Sequence, residues 1–242
     1  MRLVGAELLK VWTAPRTLLG IVLAELAIVL LGTITTLHSA TNDPVLPSSL
    51  ARDIATMGQI ALLFTTLMGA LIVTSEYRHG TITLAFLTTP VREKVIAAKA
   101  AAAVIVSALL VLPAVVLPVV IAGIWVGGRD DYRFGGNEYE LLARTFLGAA
   151  LVAVIGLFVG ASLKRQLGVV ILVLAWLIFL EPALAALVPE TKDYLAGPAI
   201  GGILGSTGDD VPSFGHACAV LAVYLGVLGT VAVVLTRQRD IT

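Results

Sequence analysis

Residues 75–99 read SEYRHGTITLAFLTTPVREKVIAAK and carry Glu76, Arg78, His79, Arg92, Glu93, Lys94 and Lys99. The stretch sits between two apolar runs, Ile54–Thr74 and Ala100–Val126. A helix rises about 1.5 Å per residue, so roughly 20 apolar residues cross a ~30 Å hydrocarbon core. Each run is long enough to do so. The charged stretch between them therefore reads as an elbow outside the hydrocarbon that joins two membrane spans.

Working outward, four more runs have the same character: Thr17–Leu37, Thr145–Leu163, Leu167–Val188 and His216–Thr236. In lipid the backbone must satisfy its own hydrogen bonds, and runs of this length form helices rather than the ~10-residue alternating strands of a barrel. Composition agrees. Of 242 residues, 58% are hydrophobic and 13% charged, half the ~25% charged share of soluble domains. The expected fold is an all-α integral membrane protein with six transmembrane helices, at 17–37, 54–74, 100–126, 145–163, 167–188 and 216–236, in one domain covering 1–242. Pro113 and Pro118 predict a kink or tilt in the third. The first run exceeds a 7–15-residue signal h-region and lacks a suitable cleavage site, so it is expected to stay in place. Cys218 is the single cysteine, which excludes an intrachain disulfide.

Basic residues fix the expected orientation. With the N-terminus inside, six spans return the C-terminus inside. Eleven of the sixteen Lys and Arg residues then face the cytoplasm, Lys99, Lys164 and Arg237 among them. This matches the positive-inside rule in a cytoplasmic membrane. Residues 1–16 alternate Arg2, Glu7 and Lys10 with Leu3, Val4, Leu8, Val11 and Trp12, which predicts an amphipathic helix along the inner surface, turned into the first span by Pro15. His38–Asp53, Gly127–Arg144 and 189–215 form the outer loops. Lys164-Arg165-Gln166 closes a tight hairpin between the fourth and fifth spans.

The 75–99 loop has a readable shape. Residues 75–79 prolong the second span, Gly80 permits a turn, Thr81–Thr88 is too short to span and predicts a short helix, Pro90 ends it, and Arg92–Lys99 starts the third span. Topology alone accounts for Arg92, Lys94 and Lys99. It does not account for Glu76 close to Arg78, then Gly-Thr, then an apolar segment closed by Pro. A Glu76–Arg78 salt bridge at the membrane boundary is expected to set the angle of the short helix.

This loop resembles the first cytoplasmic loop of ABC-2-type transporter permeases, the membrane subunits of type V ABC exporters. Their second span ends in Glu-aromatic-Arg-x-Gly-Thr, followed by a coupling helix, a Pro and a basic return. The matching positions are Glu76, Tyr77, Arg78, Gly80, Thr81, Pro90, Arg92 and Lys99. Ala6-Glu7-Leu8-Leu9-Lys10 is similar to the family's N-terminal connecting helix, and Leu180-Glu181-Pro182 to an element of its actinobacterial branch. The resemblance implies a dimeric permease, of two copies or with a related chain. Two separate ATP-binding subunits would hold ATP and Mg and seat the loop's short helix. It would export a lipid, drug, peptide or other amphiphile.

The chain has no G-x-x-x-x-G-K-[ST], H-E-x-x-H, Cys/His cluster or G-x-S-x-G, so no catalytic, cofactor or metal residues and no enzymatic activity of its own are expected. No nucleic-acid partner is expected, and membrane lipids are. Two acids lie at membrane depth, where a charge costs about 2.5–3.5 kcal/mol. Glu25 reads equally as a group facing a substrate path or as a helix contact. It also supports a different class, an ion-coupled secondary transporter, although no internal repeat accompanies it. A non-transporting anchor or sensor subunit is the third reading. Glu181, beside Pro182, reads as an acceptor for backbone donors freed where proline breaks the fifth helix. Gly148, Gly156 and Gly160 predict close helix packing, within the bundle or between copies. Trp125 and Tyr132 read as interfacial anchors, and Trp176 as plain packing.

Overall fold

The computed structural model describes residues 2–13, 15–42, 45–82, 91–206 and 211–238, and among these every regular element is helical. Helix α1 is Arg2–Thr13 and α2 is Pro15–Ala40. A short α3, Leu50–Thr56, passes through a 3₁₀ turn at Met57–Ile60 into α4, Ala61–His79. Helix α5, Arg92–Val126, stays a single helix through Pro113 and Pro118. Helix α6 is Gly136–Leu163. Helix α7, Gln166–Ala175, widens into a π turn at Trp176–Leu180 and continues as α8, Glu181–Leu187. After a 3₁₀ turn at Pro189–Tyr194 come α9, Ala196–Leu204, and α10, Phe214–Gln238.

Six segments are long and apolar enough to cross a membrane: Arg16–Ala40, Leu50–His79, Arg92–Val126, Gly136–Leu163, Gln166–Leu187 and Phe214–Gln238. The protein is a multi-pass membrane protein. The second segment forms the centre of the bundle, with 61% of its most apolar window buried against 17% for the first, fifth and sixth.

Packing follows the membrane pattern of small residues inside and large aliphatics outside. Ala102, Ala103, Ala114, Ala149 and Ala153 are buried, while Leu23, Leu31, Leu109, Ile124 and Leu167 are exposed. The closest association is between α4 and α6. A Cβ on Gly156 would collide with the Thr66 carbonyl oxygen, and one on Gly69 with that of Ala153. The Gly156/Gly160 spacing therefore seats α6 against α4 of the same chain, as bundle packing.

Three expectations need correction. Proline does not break the fifth span at Glu181-Pro182: the π turn lies one turn earlier, and helix resumes through Pro182, which occupies the tolerant first turn of α8. The helix that carries the fourth span already begins at Gly136, inside the loop expected at Gly127–Arg144, because Glu138 reaches back to the Gly135 amide (2.8 Å) and caps the helix there. Tyr132 does not present its hydroxyl to an interface. Its ring packs on the Leu37–Val126 cluster and its oxygen is enclosed without a partner, whereas Trp125 is exposed.

Candidate functional site

The α4 C-terminus is where the sequence-selected residues gather. Gly80 adopts φ +69°, a left-handed conformation that favours glycine. Its amide donates to the Tyr77 carbonyl (3.4 Å), and the Thr81 amide donates to that of Glu76 (3.0 Å). These two bonds form a Schellman cap, so α4 ends at a defined point. Of the predicted 81–88 helix, residues 83–88 lie outside the described residues, as does Pro90.

Glu76, Tyr77 and Arg78, just before the cap, each reach different neighbours. Glu76 does not pair with Arg78, as the sequence suggested. Its Oε1 accepts from Lys99 Nζ of α5 (2.6 Å) and Lys10 Nζ of α1 (2.9 Å). Glu7 of α1 completes the knot: Oε2 accepts from Lys99 (2.6 Å) and Oε1 from Lys10 (2.7 Å). The Tyr77 ring instead faces the Lys164 ammonium, 5.6 Å from its centroid, at the α6–α7 turn. Arg78 donates to Gln166 Oε1 (3.2 Å) in the first turn of α7. Neighbouring residues on a helix point about 100° apart. A carboxylate at 76 and a guanidinium at 78 therefore diverge, each toward its own neighbour.

Two carboxylates against two ammoniums leave the knot neutral. Lys99 is 1% exposed and Glu7 3%, so two charges that are costly to bury are held by each other and by the remaining knot partners, Glu76 and Lys10. Lys10 is half exposed. Burial works against its charge, but the hydrogen bonds and attraction of Glu7 and Glu76 outweigh it and hold its pKa above the usual 10.5. One knot atom, Glu76 Oε2, is buried with no partner.

Arg92, at the start of α5, donates to the carbonyls of Thr236 (2.5 Å) and Arg237 (3.2 Å), and Arg237 pairs with Glu93. A cation at the last carbonyls of α10 complements that helix end. The α5 start is thus tied to the α10 end.

Glu25 and Glu181 are elsewhere. Glu25 is 1% exposed, and neither carboxylate oxygen has a partner. Along α2 it lies about one turn from Val22, which packs on the Met68–Leu110 cluster, and one turn from Val29, which packs on Ala61, Val111 and Ala114. Glu181 Oε1 accepts from the Gly197 amide in the first turn of α9. The sequence expected a backbone donor freed within the fifth span; the donor comes from α9. At the other end of α9, Arg52 donates to the Gly205 carbonyl (2.6 Å). An acid at its start and a base at its end both favour the α9 dipole.

Sequence reasoning singled out neither Glu7 nor Lys10 as site residues, nor Gln166 as a partner of Arg78. The available signal was one acid and one base, three residues apart on α1, beside the buried-face residue Val11. Among the described residues no cluster of His, Cys, Asp and Glu is arranged to hold a metal.

Residues 40–242 match a family described as protein of unknown function (DUF2705), and the chain belongs to that family. No curated protein matches it.

Proposed function

We propose that this member of the DUF2705 family is the membrane-embedded subunit of a transporter powered by a separate ATP-hydrolysing subunit, which grips residues 80–91 from the cytoplasm. In this reading the N- and C-termini are cytoplasmic, α1 lies along the inner surface of the cell membrane, and the chain works as a pair with two ATP-binding partners. The cargo is a lipid or other amphiphile, moved outward.

The observation that carries the reading is the knot. Both stems of the 80–91 segment, Glu76 before it and Lys99 after it, end in one buried ion cluster that also holds α1. Tyr77 and Arg78 extend the same base to the α6–α7 turn. A push on 80–91 is therefore delivered to four helices as a unit, because packed elements move as bodies rather than bending. Glu76, Tyr77, Arg78, Gly80, Thr81, Arg92 and Lys99 serve the base of that lever, and Pro90 belongs to the segment that is gripped.

The test is purification from native membranes in mild detergent, followed by assay of what accompanies the chain. A stoichiometric ATPase is expected. Gly80→Val meets no atom within 4 Å but forces a β-branched residue into the left-handed region. It should leave insertion and ATP hydrolysis intact while export falls at least about tenfold, a loss of ~1.4 kcal/mol in coupling. Absence of any ATPase, or unchanged export in Gly80→Val, overturns the reading.

Glu25 supports a second reading, an ion-coupled secondary transporter. An unpartnered carboxyl enclosed between spans is the kind of group that binds and releases a proton or cation. Transport by the reconstituted chain alone, driven by an ion gradient and abolished in Glu25→Gln, would select it.

A further inference from the structure

Two cavities meet at the corner between α1 and α2. One, of about 340 Å³, is almost wholly apolar and runs between that corner and α5, lined by Val11, Trp12, Leu18, Val22, Val106 and Leu110. The other, of about 120 Å³, lies on the α4 side and is lined by Glu7, Lys10, Glu76, Arg78, His79 and Gln166. Val11 and Leu18 line both, so that pair is the wall the polar and the apolar cavity share.

The chamber is built for both signs of charge. Lys10 and Arg78 are partly exposed cations with donors to spare, since Lys10 uses two and Arg78 shows a single bond to Gln166. Glu76, which is 6% exposed, has Oε1 taken by two ammoniums and Oε2 buried without a donor. Glu76 lines the chamber, so an N–H-bearing group lodged there is a candidate for the donor that Oε2 lacks. An anion alone would satisfy the cations and leave Oε2 bare. A cation alone would meet Lys10 and Arg78. A single molecule with an N–H-bearing ammonium and a phosphate a short tether apart answers both. The adjoining groove supplies room for a hydrocarbon chain, and the chamber supplies room for a small polar headgroup.

We infer that the α1–α2 corner is a binding site for an aminophospholipid, phosphatidylethanolamine, with its ammonium donating to Glu76 Oε2, its phosphate accepting from Lys10 and Arg78, and one acyl chain passing Val11 and Leu18 into the groove beneath Trp12. The bound lipid supplies the donor that the ion knot lacks. This assignment is independent of what powers the chain.

The test needs no change to the knot, because the ligand carries the discriminating group. The full chain in detergent is mixed with equal amounts of phosphatidylethanolamine, phosphatidylcholine and phosphatidylglycerol, and retained lipid is read by native mass spectrometry. Phosphatidylcholine keeps the phosphate and positive charge but has no N–H, and phosphatidylglycerol lacks the ammonium. Phosphatidylethanolamine should be retained about tenfold over either, the worth of one charge-assisted hydrogen bond. Equal retention, or preference for phosphatidylglycerol, overturns the proposal. Glycerophosphoethanolamine, the headgroup without tails, should fail to displace the lipid at a thousandfold excess; displacement would mean a soluble ligand instead. Leu18→Trp, which fills the junction, should abolish the preference with thermal unfolding unchanged. A preference that survives Leu18→Trp in a folded chain places the lipid elsewhere and sinks the assignment.

Discussion

The two ends of the bundle use charge in opposite ways. At the end bearing residues 76–99, buried charges meet each other: Glu7, Glu76, Lys10 and Lys99 join α1, α4 and α5 through side chains alone. At the far end the ion pairs, Arg129–Asp131 and Arg144–Glu140, lie at the surface, and the charges that hold elements in place meet backbone, as Arg92 also does at the first end. Glu181 and Arg52 hold the two ends of α9, and Asp131 accepts from the Leu46 amide (2.8 Å). A side-chain knot fixes helices to one another and makes them move together. A side chain on backbone fixes a single loop or helix end and constrains little beyond it. The first suits transmission and the second suits closure of a wall.

The largest effect should come from opening the knot. Lys99→Met removes the fully buried one of the two cations that both carboxylates share and leaves them underpaired in the interior, which costs about 3–5 kcal/mol. Lys10→Met, at a half-exposed cation, should cost under about 1 kcal/mol. Mixed-micelle unfolding of the two variants measures the difference. Equal losses would mean that the knot is a surface feature and the contrast between the ends is false.

At the far end the expected loss is smaller. Glu181→Ala removes the carboxylate from the start of α9 and should cost about 0.5–2 kcal/mol, the usual worth of a helix N-terminal cap. The loss should be local, seen as faster hydrogen exchange across 196–204 with α4 and α5 unaffected. Faster exchange throughout the bundle would show that α9 transmits as the knot does.

Legibility in the sequence divides along the same line. The six spans were readable because an apolar run of membrane length has no other stable state than helix. Local signals were readable too: Gly80 as a turn follows from its lack of Cβ, and it indeed caps α4. The knot around Glu76 was not, because Lys99 and Glu7 are 23 and 69 residues away, and only the packing of α5 against both α1 and α4 brings them together. Arg78, two residues along, is the nearer cation in sequence, but two helical steps turn it away from Glu76. The π turn at Trp176–Leu180 left no residue signature beyond Pro182, whose missing N–H has to be accommodated somewhere upstream.

A pH titration sharpens the comparison at the loop that holds Leu46. Hydrogen bonds from Arg129, then the Leu46 amide, keep the Asp131 carboxyl below its ordinary 3.8. A lowered value means that the charged form is favoured by folding. Its contribution is therefore present above pH 3.8 and is lost as pH falls through the lowered value. Protection of the Leu46 amide should vanish in that acid window and not before. Loss near pH 6 would assign the protection to another group.

The smallest change is expected at Glu25, and its size decides what that residue is for. Glu7, Glu76 and Glu25 are comparably buried, at 3, 6 and 1% exposure, yet only the first two have partners. A buried polar group that bonds to nothing contributes nothing to holding the fold, and replacing it with an apolar group of similar size is near neutral or stabilising. Glu25→Leu should thus leave unfolding within about 1 kcal/mol of the parent, or raise stability. A carboxyl kept at a place where it does not stabilise is available to meet something that passes through. A loss above about 2 kcal/mol would instead reveal a partner for Glu25 in the folded protein, and would move it into the same class as Glu7 and Glu76.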